Sequence, residues 1–396
     1  MKKSILFLFA SILFLCGCNN EVTSNQQKFI EFGEDVRNAL EIFHQYREEL
    51  NNSLSRSGSD VTILDVDEMD ILVKLDNSGV GVVSRTTNTE QIKLHRITFS
   101  HEGEKGLAIV SADERIRSNF MYCEKGSIED TAYIGPVAEY IREIIPGLCE
   151  DDLRVYYSSE TDFEEIVSSR ATQPTIYLNM KTQWGQGDPY NTKLAKINCG
   201  GVMKFPNVGC TGLAIAQALV FLLPDGYYLY PINEMRNVVY CSTYPWGEYN
   251  DRIADFIRAV SSSYTDYTCD GSGAWLADAR NELRYWGYIE GVGYIYKSTN
   301  SLDKGKFYAS LQANCPTLMS GSNGKEAHTW ILHGQRYNGS TREIYCNYGW
   351  NGYCDGWYSD WQRPKNQSGQ VVISGSYYKN NKYMYFLENH STASIY

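Results

Sequence analysis

The stretch from Asn207 to Phe221 constrains this chain more than any other. It reads as a loop that turns at Gly209 into an apolar helix, which Pro224-Asp225-Gly226 stops. A helix that is apolar all round is buried, leaving only its N-terminal tip free to reach a cleft. Cys210 falls in that first turn, where backbone N–H groups have no carbonyl a turn earlier and the positive end of the dipole favours a thiolate. A rigidly held reactive sulfur is one meaning of the pattern. A plain core cysteine is the other, because free Cys is among the most buried residue types.

The chain of 396 residues divides by composition into two parts, as its length allows. The first, 18–160, is expected to be a smaller α+β domain. It holds an amphipathic helix from Phe29 to Leu54, with Phe32, Val36, Leu40, Phe43 and Tyr46 at helical spacing. Strands are expected at Val61–Val73, Ile92–Phe99 and Leu107–Asp113, then a helix from Thr131 to Ile145 stopped by Pro146-Gly147. The acidic, Ser-rich segment from Asp151 to Arg170 reads as an exposed linker, with 161–173 its core and a processing cut expected between Ser158 and Thr175. The second part, 174–396, places its helices first: the Cys210 helix, Tyr249–Ser262, Ala274–Trp286 and Leu302–Ala313. Strands follow at Thr317–Ser320, Thr329–Tyr337, Glu343–Tyr348, Gln370–Ile373 and Lys382–Leu387, an α+β layout and not a repeated βαβ sheet.

A thiol nucleophile needs a base or an imidazolium to hold it ionised. The second part contains His328, His333 and His390. His328 opens a strand after a Gly/Ser-rich loop. His333, five residues on, points to the other face by strand alternation, and His390 lies in a polar tail. His328 is therefore the candidate base. Asn338-Gly339 is a two-residue hairpin signal. Folding there pairs Tyr337 with Ser340 and Trp330 with Asn347, which sets Asn347 diagonally across from His328, about 7–8 Å away along the sheet. A bulge would shift that register. An oxyanion needs donors, and the Cys210 N–H with a side-chain amide from Gln186 would supply two; Gln183 competes for the second place. Trp350 is placed to cover a His328–Asn347 hydrogen bond from water or to pack in the core.

Met1-Lys2-Lys3 and the apolar run Ile5–Leu15 form an export signal, too short to span a bilayer. Leu15-Cys16-Gly17-Cys18 resembles a lipoprotein box, with 1–17 removed and Cys18 lipidated; an ordinary soluble-secretion signal is the alternative. The formal net charge of −11 argues against nucleic acid as a partner. Eleven cysteines less Cys16 and Cys18 leave an odd nine, without CxxC spacing, so zinc is not expected and at least one thiol stays unbridged. No cofactor is implied.

Four segments together resemble the streptopain family of cysteine peptidases, which have a papain-like fold. They are Trp184-Gly185-Gln186-Gly187-Asp188-Pro189-Tyr190-Asn191, Gly209-Cys210 with Ala214-Ile215-Ala216-Gln217, Glu326-Ala327-His328-Thr329-Trp330-Ile331-Leu332-His333-Gly334, and Asn347-Tyr348-Gly349-Trp350-Asn351-Gly352 with Asp355-Gly356. The resemblance implies Cys210 as nucleophile, His328 as base, Asn347 as orienting residue and Gln186 as oxyanion donor, with Trp350 on the second tryptophan of an Asn-Trp-Gly-Trp motif. The first part, through Gly106–Arg115, resembles the family's inhibitory propeptide. Tyr348, Thr211-Gly212, Ala327 and His333 depart from the pattern. The implied protein is a lipid-anchored, exported zymogen of a cysteine endopeptidase, acting on proteins or peptides, with its own propeptide docked over the cleft and the membrane met through the lipid. A Cys-His acyltransferase of transglutaminase type and a degenerate binding lipoprotein are the alternatives.

Overall fold

A computed structural model describes residues 33–54, 60–75, 88–127, 135–158, 174–299, 301–361, 378 and 381–389. The expected signal with Cys18, the segment 159–173, the strand Gln370–Ile373 and His390 lie outside the described residues. Among the described residues no helix is long and apolar enough to cross a membrane.

The molecule is mixed α and β, built on a large antiparallel sheet. Its strands are β1 (Thr62–Leu75), β2 (Asn88–His101), β3 (Glu104–Val110), β4 (Asn119–Cys123), β5 (Ile176–Tyr177), β8 (Tyr294–Thr299), β9 (Thr317–Ser322), β10 (Ala327–Asn338), β11 (Thr341–Asn347), β12 (Gly356–Ser359) and β13 (Asn381–Phe386). Their order is β1-β2-β3-β4-β12-β11-β10-β9-β13-β8, with β5 added to β10. A separate hairpin joins β6 (Ile197–Cys199) to β7 (Val202–Lys204). The N-terminal strands thus continue the C-terminal sheet, through Gly356↔Cys123, Trp357↔Tyr122 and Tyr358↔Met121.

The Glu34–Ser53 helix forms where the apolar spacing placed it. Its buried Leu40, Phe43, Tyr46 and Leu50 pack on Ile97, Phe99, Val110, Tyr122 and Trp357. Each such side chain contributes about 1.5–3 kcal/mol on full burial, enough to outweigh the cost of nucleating the helix. Trp357 belongs to β12, so this cluster also joins the two parts. The second core layer is the Cys210–Leu222 helix, buried along its length against the Asn250–Ser261 helix and β10.

Several expectations change. Pro146-Gly147 does not stop a helix: Gly135–Glu139 passes through a π turn, Tyr140–Ile144, into Ile145–Ser158. Pro146 sits where the ladder has just widened, so its missing N–H removes little. The start of the expected linker, through Ser158, is therefore helical. Of Ala274–Trp286 only Arg280–Tyr285 is helical. Leu302–Ala313 becomes Lys304–Gln312, capped by Asp303, whose carboxylate accepts from Lys306 N at 3.0 Å.

The β10–β11 hairpin turns one residue later than expected. Asn338 pairs with Thr341, so the loop is Gly339-Ser340, and Gly339 takes φ 56°. His333 is then an extra residue between Leu332 and Gly334, and Ile331, not Trp330, faces Asn347. The bulge has a local cause. His333 O accepts from Leu178 N at 2.9 Å and its Nδ1 meets Leu178 O at 3.2 Å, so this histidine is a structural one.

Candidate active site

The Cys210 helix begins where only glycine serves. Gly209 holds φ 87°, and a Cβ there would come within 3.0 Å of Ser272 O. Gly212 answers a different need: a Cβ on it would lie 2.6 Å from Ser261 Cβ, so the residue that loosens the helix start also lets the Asn250–Ser261 helix approach. Two of the family departures are thereby explained by packing. Thr211 Oγ donates to Ala274 O at 2.8 Å and shares a 2.9 Å hydrogen bond with Thr329 Oγ. The residue after Cys210 is thus tied to the residue after His328.

Cys210 is partly exposed at the helix tip, and its Sγ lies 4.0 Å from Ala327 O. Burial pushes its thiol up. A hydrogen bond and the charge of the His328 ring push it down, helped by the Thr329 N–H and the Thr211 side chain, and the downward effects win. Five other thiols move the opposite way. Burial pushes Cys123, Cys149, Cys241 and Cys315 up to about 12. Cys346 goes higher still for the same reason. Cys199 and Cys269 form a disulfide. Among the described residues, Cys210 is the one free cysteine that is not buried.

His328 is buried. Its Nε2 meets the carbonyl of Tyr348 at 2.9 Å, leaving the rest of the ring to Cys210. This corrects the expected direct bond from Asn347, and the bulge at His333 is the reason: the shifted register turns Tyr348 to the His328–Trp330 face. Asn347 still serves that bond, at one remove. Its Oδ1 accepts from Gly349 N at 3.0 Å and its Nδ2 donates to Thr182 O at 2.8 Å. The Tyr348–Gly349 peptide therefore has its N–H on Asn347 and its C=O on His328, and each bond polarises the other. Tyr348 N in turn donates to Asp355 Oδ1 at 2.8 Å. Burial raises Asp355 to about 8.

Trp350 lies against the imidazole with ring centroids 4.8 Å apart, and stacks on Tyr348 at 5.1 Å. Gln186 is half-buried, and its carbonyl accepts from Val208 N at 2.9 Å, which sets its loop beside the residues leading into Cys210. Gln183, the competitor, packs its side chain against Gly352. The loop is anchored by Trp184, whose backbone N donates to Gln217 Oε1 at 3.0 Å and whose indole donates to Val238 O at 2.9 Å. Among the described residues no group of three His, Cys, Asp or Glu could hold a metal.

The sequence reading missed three of these groups. A backbone carbonyl, such as that of Tyr348, carries no residue signature. The Thr211–Thr329 pair is visible only once two distant segments meet. Gln217 could have been found, as the single amide in an otherwise apolar helix.

A known family model covers this same constellation. Residues 184–358 match the model of the peptidase C10 family. The match begins at Trp184 and closes just past Asp355-Gly356, so it contains every segment that carried the streptopain resemblance, and it supports a cysteine peptidase. No curated protein matches the chain.

Proposed function

We propose that the chain is the zymogen of an exported, lipid-anchored cysteine endopeptidase with a papain-like catalytic region. The single observation that carries this reading is the thiol contrast. Cys210 is held low by His328 at a partly open helix tip, whereas buried thiols elsewhere are held high. Papain-like describes the thiol on a helix N-terminus facing an imidazole on a sheet strand.

The chemistry follows from the geometry. The Cys210 thiolate adds to a peptide carbonyl carbon, and the oxygen takes the negative charge between the first-turn N–H of Cys210 and the Gln186 amide. His328 imidazolium gives its proton to the leaving amine as the C–N bond breaks, leaving a thioester. His328 then takes a proton from water, hydroxide adds to the thioester, and the carboxylic acid departs as Cys210 is restored. The Tyr348 carbonyl holds the ring in place through both steps, and Trp350 keeps water off that bond.

The N-terminal region acts as propeptide in this reading, and Cys18 as its lipid anchor. Among the described residues its contacts with the catalytic region include β12, Glu343 on β11 and the loop 350–354. Cys354 N donates to Lys125 O at 2.7 Å, and Ser127 N donates to Tyr353 Oη at 2.6 Å. Residues 125–127 thus press on the loop that carries Trp350.

Labelling tests the function. An epoxide or iodoacetamide at neutral pH should modify Cys210 ahead of the other thiols, mapped by mass spectrometry of the digested chain. Modification spread over the buried thiols, or none at Cys210, would contradict it.

A further inference from the structure

We propose that Asp355 is a positioning residue that, with Asn347, clamps the Tyr348 main chain so that its carbonyl holds His328 in line with Cys210. This rests on the peptidase reading and deepens it. The geometry is a closed chain of short hydrogen bonds. Asp355 Oδ1 accepts from Tyr348 N at 2.8 Å, Asn347 Oδ1 accepts from Gly349 N at 3.0 Å, and Tyr348 O meets His328 Nε2 at 2.9 Å. The two side chains grip the N–H groups on either side of the carbonyl that does the orienting.

The backbone is bent to allow this. Asn351, Gly352 and Cys354 all take left-handed φ values, of 55°, 78° and 60°. Two of these are non-glycine residues, for which that conformation is unfavourable. The turn closes with Asp355 N on Gly352 O at 3.2 Å, which returns the carboxyl beneath Tyr348. Asn351 N donates to Trp184 O at 3.3 Å and joins the same turn to the oxyanion-side loop. The residue type carries a cost as well. Asp355 is 3 % exposed, and its Oδ2 has no partner among the described residues. A buried carboxyl using one oxygen is unfavourable unless that oxygen has a task. Holding Tyr348 N is that task. The ring contacts of Tyr348 with His328 and Trp350 add shape but no directional hold on the carbonyl.

The rate of Cys210 alkylation by iodoacetamide, followed from about pH 5 to about pH 9 in the full chain, tests the assignment. The wild-type chain should label on the acid side, because imidazolium holds the thiolate there. Asp355→Ala and Asp355→Ser, checked for folding by thermal melting, should lose about tenfold of that acid-side rate and little at the alkaline end. Asp355→Asn keeps the acceptor oxygen and should restore the rate to within about threefold. Folded Ala and Ser variants with the wild-type profile would overturn the inference alone. So would an Asn variant as slow as the Ala variant, since the effect would then lie in charge and not in the hydrogen bond. If neither small variant folds, Asp355 holds the fold rather than the ring, which also overturns it. An ordinary thiol profile in the wild-type chain would remove the peptidase reading together with this inference.

Discussion

The residues before 159 and those after 173 spend their buried polar groups differently. In the later region several of these groups gather at one imidazole: Tyr348 O, Asn347, Asp355 and Thr329 all lie within two hydrogen bonds of His328 or Cys210. In the earlier region the ion pairs sit toward solvent, as in Arg96 with Asp67 and Arg115 with Asp113 and Glu90. Two of its buried polar side chains, Tyr46 and Asn119, point out of the region altogether. Both donate to Glu343 on β11, at 2.8 and 2.9 Å, beside the buried Arg336–Glu343 pair at 2.6 Å. The Arg336 guanidinium also lies 4.3 Å from the centre of the Tyr46 ring. The lesson is that the earlier region, among the described residues, completes the polar bonding and the sheet of the region that holds Cys210 and His328.

The sharpest break in that comparison is at Glu343. Glu343→Ala leaves Arg336, Tyr46 and Asn119 without their shared acceptor, and should cost about 3–5 kcal/mol. Arg96→Ala, at an exposed pair of the earlier region, should cost under about 1 kcal/mol. Chemical denaturation of the two variants measures both. If they are equal, the joint between the regions is not where the account puts it.

The joint also bears on processing. A cut within 159–173 leaves β4 paired with β12 and Glu343 still satisfied from both sides. The two pieces should therefore co-elute on gel filtration after the cut, and separate only in denaturant or in the Glu343→Ala chain. Release of the later region from membranes by the cut alone would contradict this.

A smaller effect is expected at Thr329. Thr329→Val keeps the shape and removes the hydroxyl that meets Thr211. A lost hydrogen bond of about 1 kcal/mol corresponds to a roughly fivefold slower Cys210 alkylation, with the melting temperature nearly unchanged. An unchanged rate would remove the pair from the site.

The smallest effect concerns acid. His95 on β2 is fully buried, and burial holds it below 6.5. The unfolded chain then takes up that proton first, so the contribution of neutral His95 is present above pH 6.5 and lost as pH falls below it. Stability should decline on that side in the wild-type chain and less in His95→Gln, by denaturant titration across the range. A variant with the same slope would show that His95 is not the acid-sensitive group.

What could be read from the sequence follows from how local the physics is. The Glu34–Ser53 helix and the Cys210 helix were legible because their apolar spacing and stop signals lie within the elements themselves. The positions of Cys210 at a helix tip and His328 at the head of a strand were legible because loop–helix and loop–strand junctions carry local signals. The role of Asn347 was half legible. Its partner was misplaced because one bulge, set by Leu178 bonding to His333, moved the register by a residue. β4 and β12 escaped notice because short strands buried on both faces carry no alternation. Their pairing, which fuses the two regions into one sheet, is a long-range fact that no short window contains.

Hydrolysis of casein by the purified chain, before and after its linker is cut, tests the central claim most directly. The account predicts peptide release by the wild-type chain, and a loss of at least about a thousandfold in both Cys210→Ala and His328→Ala, with all three folded alike. Cleavage that survives in Cys210→Ala, or intact casein with the processed wild-type chain, would contradict it.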